Sequence, residues 1–157
     1  MTPQRPWESF RVSTQRIRVR VWLARGTPLA GEFPCAGPIR DRATVRDLAE
    51  LLNRPTHFVP FFPAERTKPV LLNKAAIRFI DCSVPPGDEI NDFAEERSVE
   101  LLLDDGEELH GKIEVSAPLG HTRTLDGLNE SGRFLILRTD DRTLVVNLSV
   151  VALAADS

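Results

Sequence analysis

The sequence predicts a mainly β protein: two tandem five-stranded, strongly bent sheets or small barrels, each with a short helix between its second and third strands, packed as a pseudo-dimer. Three observations predict it. First, Gly26, Leu29 and Gly31 recur at the same mutual spacing as Gly106, Leu109 and Gly111. Further landmarks follow in the same order: Leu52-Asn53 and Phe58 answer to Leu128-Asn129 and Phe134, Val70–Asn73 to Leu144–Asn147, and Ile77 to Val151. Such self-similarity marks two copies of one supersecondary unit. Second, short segments alternate apolar and polar residues with period two, the mark of strands buried on one face. Third, each copy spans roughly 60–70 residues, a size at which a lone core is marginal, so the two copies are expected to share their burial.

Residues 1–15 are expected as an N-terminal arm, with Trp7 and Phe10 available to tuck it down. The first repeat runs over 16–82. Ile17, Val19, Val21 and Leu23 line one face of its opening strand and Arg16, Arg18, Arg20 and Trp22 the other. Arg25-Gly26 makes the turn, where glycine suits a positive φ, and Pro28–Phe33 returns as the second strand. Residues 35–42 form a loop rich in Gly, Pro and charge. Thr44 caps a helix over Val45–Leu52, with Asp47 completing a capping box. Val45, Leu48, Leu51 and Leu52 form its apolar stripe. Asn53 is expected to close it in a left-handed conformation, and Pro55 forbids its continuation. Strands follow at Phe58–Phe62, Val70–Leu72 and Ile77–Ile80.

Residues 83–96, with Pro85-Pro86-Gly87 and an acidic stretch, read as a linker. The second repeat, 97–155, runs in the same order: strands at Arg97–Leu103 and Glu108–Val115 around an Asp104-Asp105-Gly106 turn, a shorter helix over 124–129, and strands at Arg133–Arg138, Thr143–Asn147 and Val150–Ala154. The recurring Asn53, Asn73, Asn129 and Asn147 are expected to serve turns, because asparagine bonds readily to nearby backbone.

Composition narrows the class. Of 157 residues, 41% are hydrophobic and 27% charged, which is ordinary for a soluble globular chain. No apolar run reaches the roughly 20 residues needed to span a bilayer, and the opening residues lack the apolar core of a secretory signal. Two cysteines, Cys35 and Cys82, both in the first repeat, fit a reduced bacterial cytoplasm, with a disulfide between them left open. Charge is divided. Residues 1–82 carry 14 basic against 7 acidic side chains, and residues 83–157 carry 6 against 16. Either the halves attract each other or a neighbouring copy, or the first repeat offers a basic surface to an anion, a nucleic acid or an acidic protein.

The hairpin Val19-x-Val21-x-Leu23-x-x-Gly26-x-x-Leu29-x-Gly31 resembles the first motif of the Sm-like family, which includes a bacterial RNA chaperone. Val99–Gly111 matches it too, with Leu101 in place of the second Val. Leu72–Ile80 resembles that family's closing strands. The resemblance implies a five-stranded bent sheet that joins edge to edge in rings, and RNA binding where the binding residues carry over. Lys74 fits the Lys of the bacterial Lys-His pair, but Ala75 stands at the His, and Leu148-Ser149 keeps neither. The helix over 45–52 also interrupts a connection that is direct in Sm chains. Uncharacterised bacterial tandem-repeat proteins are the nearest resemblance. A second family, the cyclic-dinucleotide-binding PilZ barrels, has an arginine-rich mouth similar to Arg16, Arg20 and the Arg40/Arg42 pair. Its Ser-Gly signature is met nowhere, since the Gly of Glu114–Gly120 falls one residue late.

Chemistry-bearing patterns are few. Ser116, Ser131 and Ser149 lack a nucleophile elbow. Asp104, Asp105, Glu107 and Glu108 cluster at a hairpin tip. No glycine-rich phosphate loop occurs, and His57, His110 and His121 are scattered without zinc spacing. No enzyme activity, metal or cofactor is expected. The expected role is a non-enzymatic protein-interaction or adaptor module, self-associating through strand edges, with no membrane contact. Its candidate surface is Arg16, Arg18, Arg20, Trp22, Arg40, Arg42, Lys74 and Leu102. Trp22 is expected near Leu102 and Arg20 near Glu100, or else all face an external protein partner. The alternative is RNA binding by the first repeat, with Arg16, Arg18, Arg20, Arg40, Arg42 and Lys74 on phosphates and Trp22 or Phe61 stacking on bases.

Overall fold

The alternation in residues 16–23 does produce a one-sided strand. Ile17, Val19 and Val21 are buried while Arg16, Arg18 and Arg20 are exposed. The computed structural model describes residues 14–24, 26–36, 43–82, 95–115 and 123–157. Its elements are β1 (Thr14–Leu23), β2 (Leu29–Ala36), α1 (Val45–Leu52), β3 (Phe58–Pro63), β4 (Val70–Asn73), β5 (Ile77–Asp81), β6 (Glu95–Leu103), β7 (Glu108–Val115), α2 (Thr124–Glu130), β8 (Phe134–Arg138), β9 (Thr143–Asn147) and β10 (Val151–Asp156). Short 3-10 turns at Lys74–Ala76 and Leu148–Val150 link β4 to β5 and β9 to β10. The mainly β class and the position of both helices agree with the sequence. The strands at either end of the expected linker begin earlier than expected, since β6 opens at Glu95.

All ten strands form one antiparallel sheet in the order β10-β6-β7-β8-β9-β5-β1-β2-β3-β4. The order is the same in each half: the fifth strand lies beside the first, then the second, third and fourth. The expected pair of separate packed sheets is instead one continuous sheet, because β5 and β9 pair through Phe79↔Val146, Ile80↔Val145 and Asp81↔Leu144. Each half's free ladder groups at this seam are satisfied by the other half.

Two apolar clusters result, and each borrows from the opposite half. The first gathers Ile17, Val21, Phe33, Leu48, Leu52 and Phe61 with Phe134 and Val145. The second gathers Val99, Leu101, Ile113, Leu137 and Val146 with Phe79. Neighbouring residues of β9, Val145 and Val146, therefore point into different clusters, and so do Phe79 and Ile80 of β5. This explains why every residue of β9 is buried instead of alternating.

The helix signals behave as expected at Thr44, whose hydroxyl accepts from the Asp47 N–H while the Asp47 carboxylate accepts from the Thr44 N–H. Asn53 departs from expectation: its φ is −86°, right-handed, because its side chain is engaged across the seam. The Asn53 amide donates to the Phe134 carbonyl at 3.0 Å and accepts the Phe134 N–H at 2.8 Å. Asn129 sits within the last turn of α2 and does not play this part. Asn73 and Asn147 do share a role, accepting the N–H of Ala75 and of Ser149 to start the two 3-10 turns. Gly106, with φ of 93°, closes the β6–β7 hairpin as an L residue with a side chain rarely could. Among the described residues no helix is long and apolar enough to cross a membrane.

Candidate functional site

The exposed face of β1 opens onto a cavity of about 880 Å³ bounded by Arg16, Arg18, Arg20, Glu32, Phe62 and Arg66. The period-two pattern puts the three β1 arginines on one side, and the β3–β4 turn adds Arg66. Arg16 lies 3.8 Å over the Phe62 ring, an arrangement that holds a guanidinium flat against an aromatic face. Of the predicted surface, Arg16, Arg18 and Arg20 are thus brought together at one groove. Arg40 and Arg42 lie outside the described residues.

Lys74 does not belong to that surface. It is 2% exposed, and its ammonium donates to the Arg54 carbonyl at 2.7 Å. Burial, with Arg133 and Arg54 nearby, pulls its pKa below the ordinary lysine value. The 3-10 turn that follows Asn73 turns this side chain inward, which periodicity could not foretell. Phe61 is likewise a correction: it is fully buried against Phe33, and its neighbour Phe62 is the ring that borders the groove.

Trp22 and Leu102 are not partners. The Trp22 ring stacks on Phe79 with centroids 4.8 Å apart and packs onto the second cluster. Leu102 faces Leu153 on β10 and Glu108 on β7 in the ladder. Arg20 is in register with Ala30 and Asp81, and Glu100 with His110 and Ala155, so that pair is not formed either. The halves do meet at Trp22, but through the seam strand β5.

Across the seam the contacts are ionic as well as apolar. Arg46 of α1 reaches Glu114 of β7 with two contacts of 2.8 Å, and Arg138 of β8 approaches the same carboxylate at 2.8 Å and Glu96 at 3.6 Å. Burial alone would raise the Glu114 pKa, but the two guanidiniums outweigh it and hold the carboxyl below its usual range. Arg78 on β5 bridges to Asp104 and Asp105 at 2.7 and 2.9 Å, and Arg142 reaches Asp81 at 3.2 Å. These groups face one another in the seam and present no nucleophile to a substrate.

Cys35 and Cys82 are both buried free thiols, and burial, reinforced by Asp47, pushes Cys35 up to about 12. Such a thiol is almost entirely protonated at neutral pH and inert as a nucleophile. Among the described residues no group of three His, Cys, Asp or Glu side chains is placed to hold a metal ion.

The surfaces that sequence reasoning missed are the two sheet edges. Among the described residues no strand pairs with the outer side of β4 or of β10. Beside them the molecule displays its exposed large apolar side chains: Leu71 on β4 at 70%, Phe58 on β3 at 54%, Leu153 on β10 at 55%, and Leu125 on α2 at 57%. The signal was present in the repeat, since the partners of these residues in the other half were known, but which copies lie inside the sheet was not. Compared with known proteins, the chain matches no family model, no curated protein and no solved structure.

Proposed function

We propose that this chain is a non-enzymatic protein-interaction module of the bacterial cytoplasm, two Sm-like units fused side by side, which engages polypeptide through its open strand edges. The observation that carries this reading is the coincidence of unpaired strand backbone with exposed Leu71, Phe58 and Leu153. An uncovered edge is a template for another strand, and alternate apolar side chains beside it supply specificity in strand addition. Support for the two-unit reading comes from the shared strand order and from hydrogen bonds that recur in both halves. Ala24 N–H to the Ala76 carbonyl answers to Asp104 N–H to the Val150 carbonyl, and Lys74 N–H to the His57 carbonyl answers to Leu148 N–H to the Arg133 carbonyl. Free thiols fit a reducing compartment.

A photo-crosslinking amino acid placed at position 71 or 153 in living cells is expected to trap polypeptide at both, well above a control at exposed Glu65. Adducts no more abundant than the control's at both positions would refute the reading.

The arginine groove favours a second reading, single-stranded nucleic acid on Arg16, Arg18, Arg20 and Arg66 with Phe62 as the stacking ring. Binding through several phosphates weakens steeply with salt. Protein purified without nuclease would then co-elute with nucleic-acid absorbance at low salt and lose it at high salt. A clean protein spectrum at low salt removes this reading.

A further inference from the structure

The seam inside the molecule has an unused copy outside it. β9 is the fourth strand of its half and β5 the fifth of the other, and these two pair. The strands left open are again a fourth, β4, and a fifth, β10. We propose that a second copy of this chain occupies these edges, β10 of one molecule adding to β4 of the next, head to tail. This rests on the edge-binding reading above and names its partner.

Position by position, the exposed side chains are the counterparts of those buried at the seam. Leu71 corresponds to Val145, Phe58 to Phe134 and Leu153 to Phe79, and all three counterparts are buried. The register of the seam sets the register between copies: Leu153 opposite Leu72, Ala154 opposite Leu71, Ala155 opposite Val70. At the seam the Asn147 amide donates to the Ile77 carbonyl at 2.8 Å. Asn73, its counterpart, is exposed at the β4 edge, where a second copy's Val151 carbonyl takes the place of Ile77.

A second, independent observation concerns the helices. At the seam Arg46 of α1 meets Glu114 and, beside it, Arg138. By capping position Arg46 corresponds to Leu125 of α2, each the second residue of its helix. By ladder register Glu114 corresponds to Pro34 (each opposite the matching residue of the first strand, Glu96 and Arg16), and Arg138 to Phe62 (opposite Lys112 and Glu32). So where the inner contact is ionic on both sides, the outer one is apolar on both sides. Leu125 alone on a solvated helix has no reason to be large and apolar; against a neighbour's Pro34 and Phe62 it does. The basic first half of one copy also meets the acidic second half of the next. Such a contact is heterologous and repeats until it closes on itself or continues as a fibre.

The test is light scattering on the full chain and on Leu71→Lys and Leu153→Lys. Both positions are exposed, so the fold tolerates the change, and circular dichroism checks it. Wild type is expected at a multiple of the single-chain mass, and each variant alone at the single-chain mass. An equimolar mixture of the two is expected to form a dimer and stop there, because one intact β10 edge meets one intact β4 edge. That dimer also proves both variants folded. A monomeric wild type at about 100 µM, a single variant that keeps the wild-type mass, or a mixture that stays monomeric would each overturn the head-to-tail assembly. Crosslinks to other polypeptides at positions 71 and 153 would in that case still stand for the edge reading.

Discussion

Replacing Asn147 by alanine is expected to lower stability by about 3–5 kcal/mol, measured by urea unfolding. The side chain is fully buried and uses both ends. Its oxygen accepts the Ser149 N–H at 2.9 Å and the Arg133 Nε–H at 3.4 Å, and its amide donates to the Ile77 carbonyl at 2.8 Å. Each buried backbone group left without a partner costs about 1–3 kcal/mol, and two are orphaned together with a small void. Asn73→Ala, made in the Leu71→Lys background so that no neighbouring copy contributes, is the comparison. There the oxygen serves only Ala75 in an exposed turn, and the expected loss is about 1 kcal/mol. Equal losses at the two positions would mean that the Asn147 amide does not tie the halves together.

Gly31→Ala is expected to cost about 3 kcal/mol or more, at the upper end of overpacking penalties. A methyl at Gly31 would strike the Phe62 carbonyl oxygen and the Phe61 ring, and one at Gly111 would lie 2.6 Å from the Arg138 carbonyl oxygen and 2.9 Å from Leu137. A backbone oxygen cannot swing aside as a side chain can, so the strands must part. β2 and β3 are joined only at Gly31↔Pro63 and Glu32↔Phe62, so parting them at Gly31 opens that ladder. Gly111→Ala strikes the equivalent place between β7 and β8 and is expected to be nearly as damaging. Gly26, with nothing near it, is the internal control: Gly26→Ala should change stability by less than about 1 kcal/mol in either direction. If Gly31→Ala matches Gly26→Ala, close packing is not what the recurrent glycine provides.

The repeat was legible because its landmarks are local demands: a glycine where two strands touch, an asparagine that starts a 3-10 turn, a threonine that caps a helix. The same reading gave the burial of Ile17, Val19 and Val21 from period two alone. It failed where the outcome depends on which strand lies beside which. Trp22 looked like a surface residue with Leu102 for a partner, yet β5 runs beside β1 and supplies Phe79. Lys74 looked like a phosphate ligand, yet a three-residue turn points it at the Arg54 carbonyl. The basic groove was legible in Arg16, Arg18 and Arg20, but Phe62 was passed over for Phe61 by one position in a strand whose facing is set only by packing. The sheet edges were invisible for the same reason: nothing in Val70–Asn73 or Val151–Asp156 states that these strands end the sheet while Thr143–Asn147 and Ile77–Asp81 do not.

The lending of Phe134 and Val145 to one apolar cluster, and of Phe79 to the other, has a thermodynamic consequence. Neither half retains its full complement of buried side chains once the other has melted, so partial unfolding gains little chain entropy before it forfeits packing on both sides. The native state therefore has no half-folded rung beneath it. Heat or denaturant should carry the whole chain across a single cooperative transition, with the calorimetric and van't Hoff enthalpies in agreement, although its sequence is written twice.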